Sequence, residues 1–412
     1  MLDQAIRNLI TKKRKIKNIE IAGYDILLFV IITVVALYMR YALRHVVAGD
    51  YKMFFEPWVA TLREAGGGIK GLGAKFEYVD YTTPYLLILS YISICPFLNT
   101  LLLMKLVSVC FDFSAAFAMF MIVYSRRKNI TWSIFAYAGV LLAPTIVTNG
   151  SMWAQCDIIF TSFILWSIYF MLRGKPVPGM IFYGIAFAFK LQTLFLAPFY
   201  LILWMKGKCK LKHFLFLPLM YFIGVLPAWY AGQNLWDLLT VYLFQANGAM
   251  DFYALSHKFP NIYQLIGTDV FLYEYADAGI YLTLIALMVV LYLLAVKKFE
   301  ITDELFVRMA LLLTMCVVFF LPHMHERYAI LADVLSILLI FINPKRFYVP
   351  LITILCSFAG YTMYLAHTQM IPLYVYTFLF LGLMLDHGYY LYKTIIKQNE
   401  VTDGQVDHKL TT

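Results

Sequence analysis

Residues 22–44 read AGYDILLFVIITVVALYMRYALR, and they decide the class of fold. At about 1.5 Å of rise per residue, a helix this long crosses roughly 30 Å of hydrocarbon. A helix is required, because a lone strand leaves its backbone polar groups unpaired in lipid. Arg7, Lys12, Lys13, Arg14, Lys15 and Lys17 precede the run and no small-residue cleavage site follows it. The segment therefore reads as a retained signal anchor with its basic side in the cytoplasm.

The rest of the 412-residue chain repeats the signal. It is 62% hydrophobic and 14% charged, whereas soluble domains carry about a quarter charged residues. Further apolar stretches lie near 99–124, 131–148, 156–173, 178–205, 213–230, 276–296, 304–321, 328–343, 347–366 and 370–392. Lys190-Leu191-Gln192 interrupts 178–205, which reads as two short crossings meeting at Lys190. Residues 84–97 are too short to cross and read as a re-entrant or interfacial segment. The predicted fold class is all-α: one polytopic membrane domain over 1–412 with about twelve crossings. Its polar pieces are a basic cytoplasmic tail (1–21), external loops at 45–83 and 231–275, and a cytoplasmic tail (393–412). In the first loop, DYKMFFEPWVATLRE (50–64) sets Phe54, Trp58 and Leu62 at helical spacing, which predicts an amphipathic helix on the outer surface. Most of the 33 Lys and Arg fall on the cytoplasmic side, so the net charge of +9 is a topology signal and excludes nucleic acid as a partner. The six cysteines are scattered without a CxxC pair and read as small core residues.

Every unusual polar cluster falls on the external side in this topology. Polar groups at membrane depth are costly and mark function. Asp50 follows the first span and is either a solvated loop carboxylate, a helix N-cap, or a general base. Asp80 is its rival and otherwise caps a helix entry. Asn149 to Asp157 (NGSMWAQCD) brings Gln155 and Asp157; Lys190 and Gln192 interrupt an apolar run. A membrane lysine needs an anion, so Lys190 is a candidate phosphate ligand. Lys105 and Asp112 are two turns apart on one helix face, as structural partners of other helices or, for Lys105, as a phosphate ligand. The run PHMHERY (322–328) supplies His323, His325, Glu326, Arg327 and Tyr328. It carries too few carboxylates for a divalent metal, so no metal or other cofactor is expected, and arginine suits phosphate through its bidentate geometry. His367, Trp153, Trp229 and Trp236 read as aromatic-belt or packing residues.

Taken together, these residues resemble the GT-C superfamily of polytopic glycosyltransferases, most closely bacterial relatives of the family that includes the second GPI mannosyltransferase. The likeness rests on Gly49-Asp50-Tyr51 with Trp58, on the Trp-Ala-Gln-Cys-Asp core of 149–157, on Ala186 to Gln192 (AFAFKLQ), and on His325-Glu326-Arg327-Tyr328. It covers the chain from residue 20 to about 345. The resemblance implies a polyprenyl- or dolichyl-phosphate sugar donor, an essential aspartate in the first external loop (here Asp50), and inversion at the anomeric carbon. It also implies an acceptor glycan or glycolipid on the external face of a bacterial plasma membrane, with membrane lipid as the other partner. Two rivals stand beside it: a polysaccharide polymerase or ligase, and a flippase or transporter of lipid-linked saccharides.

Overall fold

The computed structural model of the chain describes residues 11–16, 19–76, 78–248, 254–266 and 273–410, together with Gln4. Parts of the basic tail and of the 231–275 loop fall outside the described residues. The fold is all-α. Among the described residues, strands are confined to an N-terminal hairpin, β1 (Lys13–Ile16) with β2 (Ile19–Ala22), and a two-residue parallel bridge described below. Helix α1 (Gly23–Ala42) follows the hairpin and coincides with the predicted first span.

The predicted amphipathic helix exists, with one correction. It opens as a π-helical turn, Tyr51–Phe55, before α2 (Glu56–Glu64). The wider turn shifts the apolar face by one residue, so Tyr51, Phe55, Trp58, Val59 and Leu62 are buried and Phe54 is only partly so. These side chains pack against α3 (Thr83–Ser93), so the helix leans on protein. At 11 residues, α3 is far too short to cross a bilayer alone.

Helix α4 (Thr100–Arg127) is the central post and packs against α5 (Ile130–Leu141) and α6 (Asp157–Leu172). The predicted span near 131–148 is broken. After α5 the chain turns by 49° into Pro144–Met152, because Pro144 has no N–H to continue the helical ladder. Arg40 of α1 answers the break by donating to Leu141 O at 3.1 Å. Helix α7 (Pro176–Phe189) packs between α6 and α9 (Phe216–Tyr230) and stops at Lys190, whose backbone is extended; a 3-10 turn, Leu191–Leu196, and α8 (Ala197–Met205) follow. Beyond them come α10 (Leu235–Gly248), α11 (Tyr273–Val296), α12 (Asp303–Phe320), α13 (Ile330–Ile342), α14 (Tyr348–Leu365) and α15 (Leu373–Leu410).

Five of the described helices are long and apolar enough to cross a membrane, or six if the bent pair counts as one. They are compatible with an integral membrane protein. Five shorter apolar helices, including α6, α7 and α13, lie among them. The breaks matter most here, because those at 43–50, 149–157, 190 and 321–329 converge on one end of the helix bundle.

Candidate functional site

Asp50 ends the turn that follows α1. Lys105 fixes that turn from α4, donating from Nζ to Leu43 O (2.9 Å), Arg44 O (3.4 Å) and Val46 O (2.6 Å). The Asp50 side chain caps no backbone N–H of the helix it precedes, and the residue is only 9% exposed. Instead it gathers three neutral donors from distant segments. Trp153 Nε1 (3.0 Å) and Gln155 Nε2 (2.7 Å) donate to Oδ2, and Tyr364 OH (2.6 Å) donates to Oδ1. A carboxylate offers about four lone-pair sites. The fourth, on Oδ1, remains for a further donor.

Trp153 and Gln155 reach one oxygen because Ala154 between them has φ of +64°. The π-helical turn Thr148–Met152 is closed by bonds from Trp153 N to Thr148 O, Ala154 N to Gly150 O and Gln155 N to Asn149 O. That closure resembles a Schellman end made one residue wider by the π turn. Ser108 of α4 anchors it with a bond to Gln155 O at 2.8 Å, and Tyr81 OH reaches Gln155 Oε1 at 3.4 Å. Of the five described non-glycine residues with positive φ, three belong to this region: Ala154, Lys258 and His323. Such backbone costs energy and concentrates at functional sites.

Two cations share the pocket. Lys190, at the end of α7, pairs with Asp157 Oδ1 at the start of α6 and lies over the rings of Tyr81 (5.6 Å) and Tyr328 (5.7 Å). Arg327 reaches three carboxylates: Glu326 Oε1 at 3.3 Å, Asp157 Oδ2 at 3.6 Å and Asp50 Oδ2 at 4.0 Å. Its guanidinium also sits 5.0 Å from the Trp153 ring centre. Asn149 Nδ2 donates to Asp157 Oδ2 (2.8 Å) and to Tyr361 OH (3.1 Å). Despite this crowding, Arg327 Nε, Gln192 Oε1 and Glu326 Oε2 have no hydrogen-bond partner.

The second loop closes one wall. β3 (Ser256–His257) pairs in parallel with β4 (Met324–His325), and the rings of His257 and His325 stack at 4.3 Å. Glu326 N donates to His257 O at 3.0 Å. Helix α14 packs on this bridge through Gly360, where a side chain would stand 2.6 Å from Lys258 O and 2.8 Å from Glu326 Cβ. Burial, with His323, Arg327 and Lys258 adding to it, holds His257 down to about 4. His325 is held well below its usual value by burial, then by Arg327, His257 and Lys190. Both rings are therefore neutral at physiological pH and offer hydrogen bonds, not charge. Burial pushes the carboxyls of Asp80 and Glu326 up, Glu326 to about 7, with Lys190 and Arg327 opposing the rise for Asp80 and Arg327 for Glu326.

Of the residues singled out from sequence, Asp50, Gln155, Asp157, Lys190, Glu326 and Arg327 form one network. His325, Tyr328 and the half-buried Asp80 lie around it, Gln192 sits in the 3-10 turn after Lys190, and His323 holds the second loop through Ala254 O at 2.9 Å. Lys105 and Asp112 face α1 instead. Lys105 holds the carbonyls of the turn after it, and Asp112 pairs with Arg40 at 2.8 Å. Trp153 is no belt residue: it is wholly buried and bonds Asp50. Tyr364 and Tyr361 escaped sequence reasoning, as did the role of Asn149. Among the described residues, no group of three or more His, Cys, Asp or Glu is arranged to hold a metal ion. No protein-family model matches this chain, and no curated protein is significantly similar to it in sequence.

Proposed function

We propose that the protein is an inverting glycosyltransferase that takes a hexose from a polyprenyl-phosphate carrier and joins it to a hydroxyl of a surface glycan or glycolipid. The observation that carries this reading is the setting of Asp50. One buried carboxylate is aimed by three neutral donors and keeps one lone pair free, 4.0 Å from Arg327, which shares Asp157 with Lys190. A base beside cations is what a displacement at an anomeric carbon needs when the leaving group is a phosphate.

In the proposed step the acceptor O–H gives its proton to Asp50 Oδ1 while its oxygen bonds to C1 of the sugar from the face opposite phosphate. The C1–O bond to phosphate breaks, and its electron pair leaves on the phosphate oxygen beside Lys190 and Arg327. Arg327 Nε, which has no hydrogen-bond partner, is the further donor for that group. No general acid is required, since a lipid phosphate already leaves readily. The proposal places the site on the external face, both termini in the cytoplasm, and about twelve crossings in a GT-C arrangement, with the short helices as partial or broken spans.

The test is transfer from a panel of radiolabelled polyprenyl-phosphate sugars to membrane-extracted acceptors by purified protein in proteoliposomes. Wild type is set beside Asp50→Asn and Asp80→Asn. Transfer lost in a folded Asp50→Asn and kept in Asp80→Asn supports the reading. The reverse pattern moves the base to Asp80. Lipid-linked glycan crossing the bilayer without turnover would replace the transferase with a transporter.

A further inference from the structure

Three carboxylates, Asp50, Asp157 and Glu326, meet one guanidinium and one ammonium in a cluster nearly closed to water. The wider circle adds Lys258, whose Nζ is 5.4 Å from the Tyr364 ring, and the half-buried Asp80. With every group ionised, carboxylates outnumber cations by one. A phosphodiester would bring a further negative charge into this low-dielectric space, where unbalanced charge is costly.

The three core carboxylates are not equally supported. Asp157 has Lys190, Asn149 and Arg327. Asp50 has its three donors and Arg327. Glu326 has Arg327 on Oε1 only; Oε2 accepts no hydrogen bond although the residue is 1% exposed. Beyond Arg327, its own backbone N–H and the more distant Lys258 give it some support, and the other groups around it bring little charge. On its own segment His325 Nδ1 stands 3.9 Å away with a neutral ring, and His323 is turned to Ala254 O. From the second loop come the neutral His257 and the more distant Lys258; from α14 come Tyr361, Tyr364 and the backbone at Gly360; from the first loop comes Asp50, a like charge.

We propose that Glu326 is the proton-carrying member of the phosphate subsite: the pocket binds a phosphodiester monoanion together with one proton, held on Glu326 Oε2 while Oε1 keeps Arg327. This rests on the reading of Lys190 and Arg327 as phosphate ligands. The elevated ionisation range of this carboxyl, near neutrality, agrees with it. A protonated Oε2 becomes a donor, so the atom that has no hydrogen-bond partner gains one on a phosphate oxygen. The device also sorts charge. A phosphomonoester, the product, takes a second negative charge near neutral pH, and an ionised Glu326 disfavours it relative to the diester substrate.

The test uses full-length protein in nanodiscs and methyl farnesyl phosphate, a diester with one fixed charge and no sugar. Calorimetry in buffers of different ionisation enthalpy reads the protons taken up. The expected result is uptake of about one proton per ligand above about pH 7, with affinity falling about tenfold per pH unit there. Glu326→Gln should bind with no uptake and no such slope. Wild-type binding without proton uptake overturns the role of Glu326 and leaves the phosphate subsite standing. Uptake unchanged in Glu326→Gln assigns the proton to a histidine such as His325 and equally overturns it. Absence of binding at any pH removes the phosphate subsite itself. If Glu326→Gln does not fold, His325→Asn takes its place: uptake kept there supports Glu326, and uptake lost there overturns its role.

Discussion

Helix α12 joins two buried arginine clusters, and they are built in opposite ways. At its start Arg308, wholly buried, donates to Glu304 one turn earlier at 2.8 Å and lies over the ring of Tyr390 at 3.9 Å. His387, Asn343 and the Arg346–Asp386 pair complete that group, with most members on helices in ordinary conformation. Just beyond its end, Arg327 gathers carboxylates from segments that break helices, held by left-handed backbone at Ala154, Lys258 and His323. The first cluster is a joint, tying α12, α13 and α15 together. Each cluster leaves a buried polar atom without a hydrogen bond, Arg308 Nη2 in the first and Arg327 Nε with Glu326 Oε2 in the second; the left-handed backbone is confined to the second, and stability alone does not favour it. Residue types alone do not separate a site from a joint; backbone does.

The comparison breaks most visibly on activity. Asp50→Asn is expected to lower transfer by about 10²–10⁴-fold, the range for loss of a general base, with thermal stability in detergent little changed because the amide keeps the side chain's shape. Arg308→Met should do the reverse. It removes one partner of a buried pair whose mate, Glu304, is partly exposed, so the cost is about 2 kcal/mol, below the ~3–5 kcal/mol of fully buried pairs. Transfer per folded molecule should stay within about twofold of wild type. A large activity loss in folded Arg308→Met would erase the distinction.

Gly360→Ala probes the wall between helix and second loop. The added methyl meets Lys258 O and Glu326 Cβ, both inside contact distance, so α14 or the β3–β4 bridge must shift. The expected cost is about 1–3 kcal/mol of stability, with a fall in transfer of roughly tenfold if Glu326 is displaced. Unchanged transfer with lowered stability would make the bridge a strut and nothing more.

These contrasts also explain what the sequence discloses. Charges beside or within apolar runs stand out, so Asp50, Asp157, Lys190 and Arg327 are legible as candidates without coordinates; that they meet in one network is what the coordinates add. Tyr364 and Trp153 were not, because aromatic residues make up 17% of the chain and one more carries no contrast. Lys105 misled for a different reason. Its partners are backbone carbonyls, which leave no trace in a side-chain pattern. The π turns at 51–55 and 148–152 were invisible too, since a single extra residue in a turn shifts a hydrophobic face without changing its composition. The Pro144 break was written in the sequence but lay within an apolar stretch that reads as continuous.

The smallest expected effect falls on the residue that aims the site. Ala154 holds φ of +64° where glycine is the usual occupant of such a closure. Replacing it with glycine removes about 1–2 kcal/mol of left-handed strain. The greater freedom of glycine in the unfolded chain costs roughly 0.5–1 kcal/mol in return. Stability should therefore rise by under about 1 kcal/mol, against the direction of most substitutions. Transfer should fall a few-fold if the methyl helps hold Trp153 and Gln155 on the same oxygen of Asp50, since small misplacements at a base slow reaction more than binding. The decisive reading is the pair of measurements together. A more stable protein with slower turnover would mean the backbone at Ala154 is strained in order to hold the carboxylate. A more stable protein with unchanged turnover would make the strain an accident of the π turn, and Asp50 would then be aimed by Tyr364 and the packing of Trp153 alone.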